Sequence, residues 1–430
     1  MNEHDMEKVN RLLHVAGFEP TDDVRQANVV IVNTCCVREK AEQKFYSLMG
    51  RLKSLKEQRG TILGVTGCIA QLEKENLLDR LPFVDFSLGP SSINTILDAI
   101  GAARNRQVFT DFADNGSVSS LYLRPGSAKG AVKAYVTIMK GCNNFCSYCV
   151  VPYVRGREAS RAGSDICAEI EELADAGVKE VTLLGQNVNS YNKGRDDLSF
   201  PELLERINAI AGIERIRFVT SHPRDLSPEL IGCFGRLEHV CEQIHLPFQS
   251  GSNKILRLMN RGYTIEEYRE KVERLRAVCP EVAITADCIV GFPGEDEQDF
   301  RATMALVEET GFDGVFSFCF SPRKFTAAAE LPDAVPAQAA RERLYELQAL
   351  QKAVTLERYK SMEGVKAEVL VEGLSKNSRE ELTGRTRTNR IVNFRGTPDM
   401  VGKLVELTIT KGYANSLRGA EPKLKEALHA

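Results

Sequence analysis

The sequence predicts an α/β protein in three parts: an open parallel α/β sheet, an incomplete (β/α)6 barrel, and a small all-β unit. Three observations predict it. Residues 1 to about 120 alternate buried strand runs with amphipathic helical runs. Residues 131 to about 350 repeat a strand–helix unit six times. From residue 361 the helical period stops and short alternating strands take over.

In the first part, MEKVNRLLHVAG reads as an amphipathic helix ended by Gly17. NVVIVNTC and TILGVTGC are buried strands, each running into a turn that carries a cysteine, and FVDFSLG is a third strand. Cys35 and Cys68 therefore arrive just past the carboxyl ends of two different strands. Ligand sites of open α/β sheets gather at that edge. Residues 111–130 are Gly/Ser-rich and weakly periodic, and read as a linker.

The second part offers the strands AYVTIMKG, EVTLLGQ, RIRFVTS, EQIHLPF, AITADCIVGF and GVFSFCFS. Helical runs such as ICAEIEELADAG and IEEYREKVERLRAVC separate them. Active sites of barrel folds lie at the carboxyl ends of the strands. Those ends are polar or turn-forming here: Gly185-Gln186-Asn187, Ser221-His222-Pro223, Gln249-Ser250-Gly251 and Gly291-Phe292-Pro293-Gly294. RERLYELQALQKAVTLERYKSM is a long helix leading out.

The third part reads as strands through VKAEVLVEG, RIVNFRG and LVELTITKGY. From Lys360 to Ala430 there are 13 Lys/Arg and 9 Asp/Glu, so this segment is basic within a chain of net charge −3. A local basic module is compatible with RNA binding and equally with a solvated surface.

Composition narrows the rest. A chain of 430 residues with 43% hydrophobic and 27% charged residues is a multidomain globular protein. MNEHDMEKVNRLL lacks the basic and apolar regions of a secretory signal, and no apolar run reaches a membrane span. The expectation is a cytoplasmic protein without a membrane partner, with monomer as the default state. Six of the 12 cysteines stand singly in helix or strand patterns and read as small core hydrophobes: Cys167, Cys233, Cys241, Cys279, Cys288 and Cys319. The ligand candidates are Cys35, Cys36, Cys68, Cys142, Cys146 and Cys149.

KGCNNFCSYCVVPYVRG carries the chemistry. Three thiolates spaced C-x3-C-x2-C in one loop suit a [4Fe–4S] cluster with one iron left open. An open iron can chelate the amino and carboxylate groups of S-adenosylmethionine and pass an electron to its sulfonium. Structural zinc is the competing reading, but zinc sites usually show paired Cys or His motifs, and here one triplet stands without a nearby His.

With these residues in view, the sequence resembles the radical-SAM methylthiotransferases, and within them the branch that adds a 2-methylthio group to N6-(dimethylallyl)adenosine beside the tRNA anticodon. NTCCVREKAEQK, VTGCIAQ, GCNNFCSYCVVPYVRGREASR, LGQNVNSY, SHPRDLSPELI, HLPFQSGSNKILRLMNRGYT, IVGFPGE and LTGRTRTNRIVNF carry the likeness along nearly the whole chain. Branches acting on threonylcarbamoyladenosine or on a ribosomal protein share the cysteines. The resemblance implies a methylthiotransferase N-terminal domain over 1–120, a radical-SAM core over 128–358 and a TRAM RNA-binding domain over 360–426. It implies two [4Fe–4S] clusters, S-adenosylmethionine, a tRNA anticodon stem-loop, and a low-potential electron donor of the flavodoxin or ferredoxin kind. Cys142, Cys146 and Cys149 would hold the radical-generating cluster, and Cys35, rather than its neighbour Cys36, would join Cys68 on the auxiliary one. Tyr148, Gly185, Gln186, Asn187, Ser221 and His222 are candidates for S-adenosylmethionine. Arg385, Arg387 and Arg390 are candidates for RNA phosphates.

Two departures stand out. The family carries its first auxiliary-cluster cysteine in a G-C-Q-M-N segment, and this sequence opens at Met1-Asn2, so that cysteine and its strand are not in it. A start set too far downstream is the favoured reading. A truncated, RNA-binding form deficient in sulfur insertion is the alternative. The second departure is SPRKFTAAA, where the family usually has a Pro-Gly pair after SPR. It predicts an altered loop with the chemistry kept.

Overall fold

In the computed structural model the described residues are 1–35, 39–110, 130–194, 197–376, 378 and 380–422. The chain divides into two units. The first comprises Met1–Leu123, Met139–Arg161 and Ser321–Ala329, and the second Arg124–Ile138, Ala162–Phe320 and Glu330–Ala430.

The first unit is built on a parallel sheet in the order β1 (Val29–Thr34), β2 (Ile62–Gly67), β3 (Phe86–Leu88), β4 (Gln107–Phe109). Its helices are α1 (Asn2–Val15), α2 (Glu39–Arg59), α3 (Cys68–Glu73), α4 (Glu75–Arg80) and α5 (Ile96–Gly101). Alternate strand residues feed two cores. Leu63 and Val65 pack with Phe45, Met49 and Leu52 of α2, while Phe86 and Leu88 pack with Val9 of α1 and Ile96 of α5. Covering both faces is what lets these strands read as near-continuous apolar runs. The edge strand β4 escapes sequence reading because it has only three residues and no alternation to follow.

The cysteine loop belongs to this first unit. The sequence offers AYVTIMKG as one strand, but it is broken in the structure. Lys133–Thr137 is a strand of the second unit. Met139–Lys140 instead pairs antiparallel with Ala159–Ser160 and closes the base of the loop. The loop is followed by a short helix, α6 (Val151–Arg155), whose Val154, with the preceding Val150, lies in the same core as Cys68, Ile69 and Ala70. Each such buried aliphatic side chain contributes about 1.5–3 kcal/mol. The core, not chain order, assigns the loop to the N-terminal sheet.

In the second unit, β5 (Lys133–Thr137), β6 (Glu180–Leu184) and β7 (Arg215–Phe218) form one parallel sheet. β8 (Gln243–His245), β9 (Ala283–Val290) and β10 (Gly314–Cys319) form another. A parallel bridge from Ile216 to Val240 joins the two. Six parallel strands in chain order with intervening helices are the expected incomplete barrel.

β11 (Lys366–Leu374), β12 (Glu381–Thr386), β13 (Ile391–Arg395), β14 (Leu404–Gly412) and β15 (Leu417–Gly419) close as a small barrel in the order β11-β12-β13-β15-β14. Val369, Val371, Leu382, Val392, Phe394, Val405 and Ile409 fill it. Residues 111–129 of the expected 111–130 linker lie outside the described residues, as does Cys36. Among the described residues no helix is long and apolar enough to cross a membrane.

Candidate metal centre

Parallel pairing of β1 with β2 places Thr34 opposite Gly67, so Cys35 and Cys68 are the residues that follow the ends of neighbouring strands. Strand spacing in a sheet is about 4.8 Å, so the register delivers both thiols to one spot on the carboxyl edge. Gly67 permits this approach. Its φ is +101°, and a Cβ there would lie 2.4 Å from the Thr34 carbonyl oxygen and 2.5 Å from Asn33 Oδ1. Cys68 is buried and Cys35 half-buried.

The Cys142–Cys149 loop is shaped by its own backbone. Gly141, at φ +78°, passes so close to the Arg157 carbonyl that a Cβ would sit 2.0 Å from its oxygen. The Cys142 N–H donates to the Gly156 carbonyl at 3.1 Å, and the Cys149 N–H to the Cys146 carbonyl at 2.9 Å. Asn143 and Glu158 brace the loop by reciprocal backbone-to-side-chain bonds of 3.1 and 3.2 Å. The Asn144 N–H points at Cys142 Sγ at 3.5 Å. Amide donors to ligand sulfurs are one of the ways a protein tunes an iron–sulfur cluster. Tyr148 lies in the same loop, half-buried.

Among the described residues no three His, Cys, Asp or Glu side chains converge tightly enough for a single metal ion. A cubane asks for less convergence, because each thiolate takes a different iron. Three thiolates in one short loop, with the Asn144 N–H aimed at the Cys142 sulfur, fit that group.

Arg155 at the end of α6 was not singled out by sequence reading. It is buried, ion-paired to Asp5 at 2.7 Å, and hydrogen-bonded to Asn2 Oδ1 at 3.0 Å. Burial opposes its charge, but Asp5 and Cys68 beside it outweigh that and hold its pKa above the ordinary value. The helical period of α1 is the sequence signal that sets Asn2 and Asp5 on neighbouring positions of one face, but nothing local names their partner.

In the second unit, the strand ends form a polar rim. Asn187 is buried and donates to Asp225 Oδ2 at 2.8 Å, and Lys193 caps the same carboxylate at 2.8 Å. Gly185 and Gln186 precede it at the end of β6. The Val188 N–H donates to the Thr220 carbonyl at 3.0 Å, with Thr220 itself at φ +69°. His222 accepts the Arg224 N–H on Nδ1 at 3.2 Å, which leaves the ring proton on Nε2. Burial, with Arg261, Arg224, Lys271 and Lys193 facing it, pushes the His222 pKa down to about 2, so the ring is neutral. Among the described residues, His222 Nε2, Ser221 Oγ, Asn187 Oδ1, Gln249 Oε1 and Glu295 Oε1 are buried without a hydrogen-bond partner. Buried polar atoms are nearly always paired, so such a set at the strand ends is what a polar ligand would satisfy.

The three TRAM-segment arginines are differently occupied from the sequence expectation. Arg387 grips Glu242 at 2.8 Å and the Val240 carbonyl at 2.9 Å. Arg390 is buried and paired with Asp313 at 2.5 Å. Arg385 pairs with Glu372 at 3.2 Å and with Asn389. From β7, buried Arg215 and Arg217 donate to the carbonyls of Arg385, Thr386 and Arg387. These guanidinium groups fasten the small barrel to the strands of its own unit. A buried charge needs such partners, and a guanidinium already committed has little left for a phosphate.

Comparison with known proteins agrees with this geometry. The model of the radical SAM superfamily matches residues 136–307, that of the TRAM domain 360–420, and that of the uncharacterized protein family UPF0004 residues 1–89. A tRNA-2-methylthio-N(6)-dimethylallyladenosine synthase of Syntrophus aciditrophicus is 50% identical over all of this chain and 94% of its own. One of Geobacter metallireducens is 51% identical over 97% of this chain and 95% of its own. The chain belongs to this family. A solved radical S-adenosylmethionine methyltransferase, TsrM of Kitasatospora setae, shares the fold at a TM-score of 0.58 and 15% identity, covering 76% of this chain and 74% of that one.

Proposed function

We propose that this family member adds a methylthio group to C2 of N6-(dimethylallyl)adenosine at position 37 of tRNA, next to the anticodon. The observation that carries the reading is that both thiol sets, Cys142–Cys146–Cys149 and Cys35–Cys68, fall in one compact unit. Full-length likeness to synthases of that name supports the substrate. An aromatic C–H bond is beyond ordinary acid–base groups, and a [4Fe–4S] cluster with an open iron, with S-adenosylmethionine bound, supplies the radical chemistry that opens it.

The chain's own residues hold and orient. Cys142, Cys146 and Cys149 would take three irons of the cluster, and the Asn144 N–H would offset charge on the Cys142 sulfur. Cys35 and Cys68 would supply two thiolates to an auxiliary cluster, with the Arg155 guanidinium beside Cys68. At the barrel rim, Asn187, Ser221 and the Nε2–H of His222 offer unmatched polar atoms to S-adenosylmethionine. A low-potential donor of the flavodoxin or ferredoxin kind supplies electrons.

Anaerobic reconstitution followed by iron and sulfide analysis tests the clusters. Digesting reacted tRNA to nucleosides separates this reading from a ribosomal-protein substrate. Methylthio mass on a protein and none on adenosine would sink it.

A further inference from the structure

Three aromatic rings stand out in solvent on the first unit. Phe145 is 39% exposed, Tyr153 43% and Phe325 65%. They form a chain: the Phe145 and Tyr153 centroids are 6.5 Å apart and edge-on, and Tyr153 and Phe325 are 6.3 Å apart. Phe145 sits inside the cysteine loop, between Asn144 and Cys146. Large apolar side chains gathered in water mark a surface built for a partner.

The backbone makes the display expensive. Phe145 has φ +46° and Phe325 φ +69°, the left-handed region that bulky residues avoid. Phe325 lies in SPRKFTAAA, at the place where the family pattern has its glycine, the residue suited to that conformation. Packing does not explain the ring, since most of it is in solvent. The turn beneath it is firmly held: the Ala328 N–H donates to the Ser147 carbonyl at 2.8 Å, and Thr326 Oγ1 donates to the Arg323 carbonyl at 2.7 Å.

The surroundings are cationic. Exposed Arg157 lies over the Phe145 ring at 5.5 Å. Lys324, next to Phe325, is 60% exposed while pairing with Glu73 at 2.9 Å. Exposed rings interleaved with cations are the chemistry of single-stranded nucleic acid, in which unpaired bases stack on aromatic faces while cations meet phosphates.

We propose that Phe145, Tyr153 and Phe325, with Arg157, form a stacking platform for unpaired bases of the substrate tRNA's anticodon loop, at the mouth of the cysteine loop. This rests on the tRNA reading above. It gives the Phe325 substitution a purpose: the chain keeps a strained ring because the ring binds.

The test is fluorescence anisotropy of a labelled anticodon stem-loop carrying dimethylallyladenosine, titrated with anaerobically reconstituted full-length protein. Phe325→Gly and Tyr153→Ala should each weaken binding about tenfold, and Phe325→Trp should restore it. Phe325→Gly should melt no lower than the parent, because glycine is at ease at φ +69°. A purely structural role would move binding and melting down together, and that result overturns the proposal. So does loop affinity within twofold of the parent in both variants, or an equal loss on a fully paired RNA duplex. If Phe325→Gly instead turns a dimer into a monomer in sedimentation with loop affinity unchanged, the patch is a self-interface and the proposal fails. Failure of the parent to bind the stem-loop at all would instead defeat the substrate reading on which the proposal stands.

Discussion

Replacing Gly67 with alanine should pull apart the edge that carries Cys35 and Cys68. Gly67 has φ +101° and ψ −164°, a region essentially closed to residues with a side chain. That strain alone costs about 1–3 kcal/mol. The added Cβ would also meet the Thr34 carbonyl oxygen at 2.4 Å and Asn33 Oδ1 at 2.5 Å. The oxygen is backbone and cannot swing away, so β1 and β2 must separate at the pair Thr34–Gly67. Together these effects cost about 3 kcal/mol, which is more than a hundredfold in local opening. Hydrogen exchange should show the amides of Ile62–Gly67 opening faster by about that factor. Gly50→Ala is the control. It sits exposed within α2 with nothing within 4 Å of its Cβ position, so alanine there should stabilise by about 0.5–1 kcal/mol. Unchanged exchange in β2 of the Gly67→Ala protein would refute the argument that this glycine exists to bring the two thiols together.

Other outcomes follow from the same structure. Arg390→Met strips Asp313 of a buried partner, and since Arg358 still reaches that carboxylate at 3.1 Å, the loss should be about 3 kcal/mol in urea unfolding of the second unit. His222 should make stability acid-sensitive. Folding lowers its pKa from 6.5 to about 2, so the unfolded chain binds more protons between those values. Its contribution is complete above pH 6.5 and declines as pH falls toward 2, by about 1.4 kcal/mol per pH unit, and His222→Asn should flatten that decline. Changing Cys142, Cys146 and Cys149 together to alanine should remove about four irons per chain and abolish reductive cleavage of S-adenosylmethionine. Retained cleavage in that variant would mean the loop does not hold the cluster.

Much of this was legible in the residues. The C-x3-C-x2-C spacing is local, so the loop reads directly, and the buried strands before Cys35 and Cys68 place those thiols at the sheet edge. Register then does what sequence alone does not, pairing Thr34 with Gly67 so that the cysteines are neighbours. What stayed hidden depends on contacts far apart in the chain. Nothing in AYVTIMKG says that its end leaves one unit for another, because that break follows from Val150 and Val154 finding the N-terminal core. The basic run Arg385–Arg390 looked like a phosphate surface since charge count carries no direction. Only the partners Glu242 and Asp313, some 75 to 145 positions earlier in the chain, reveal it as a clamp. Their counterparts Arg215 and Arg217 alternate with Ile216 and Phe218, and that period-two placement of charge in a buried strand was the available clue.

The central claim is that these two thiol sets serve one reaction on a tRNA base. The direct measurement is nucleoside mass spectrometry of tRNA bearing dimethylallyladenosine after anaerobic incubation with the reconstituted protein, S-adenosylmethionine and a low-potential reductant. The account predicts 2-methylthio-N6-(dimethylallyl)adenosine with the parent protein and none with Cys142→Ala. Protein that carries iron and cleaves S-adenosylmethionine yet leaves the adenosine unaltered would contradict it.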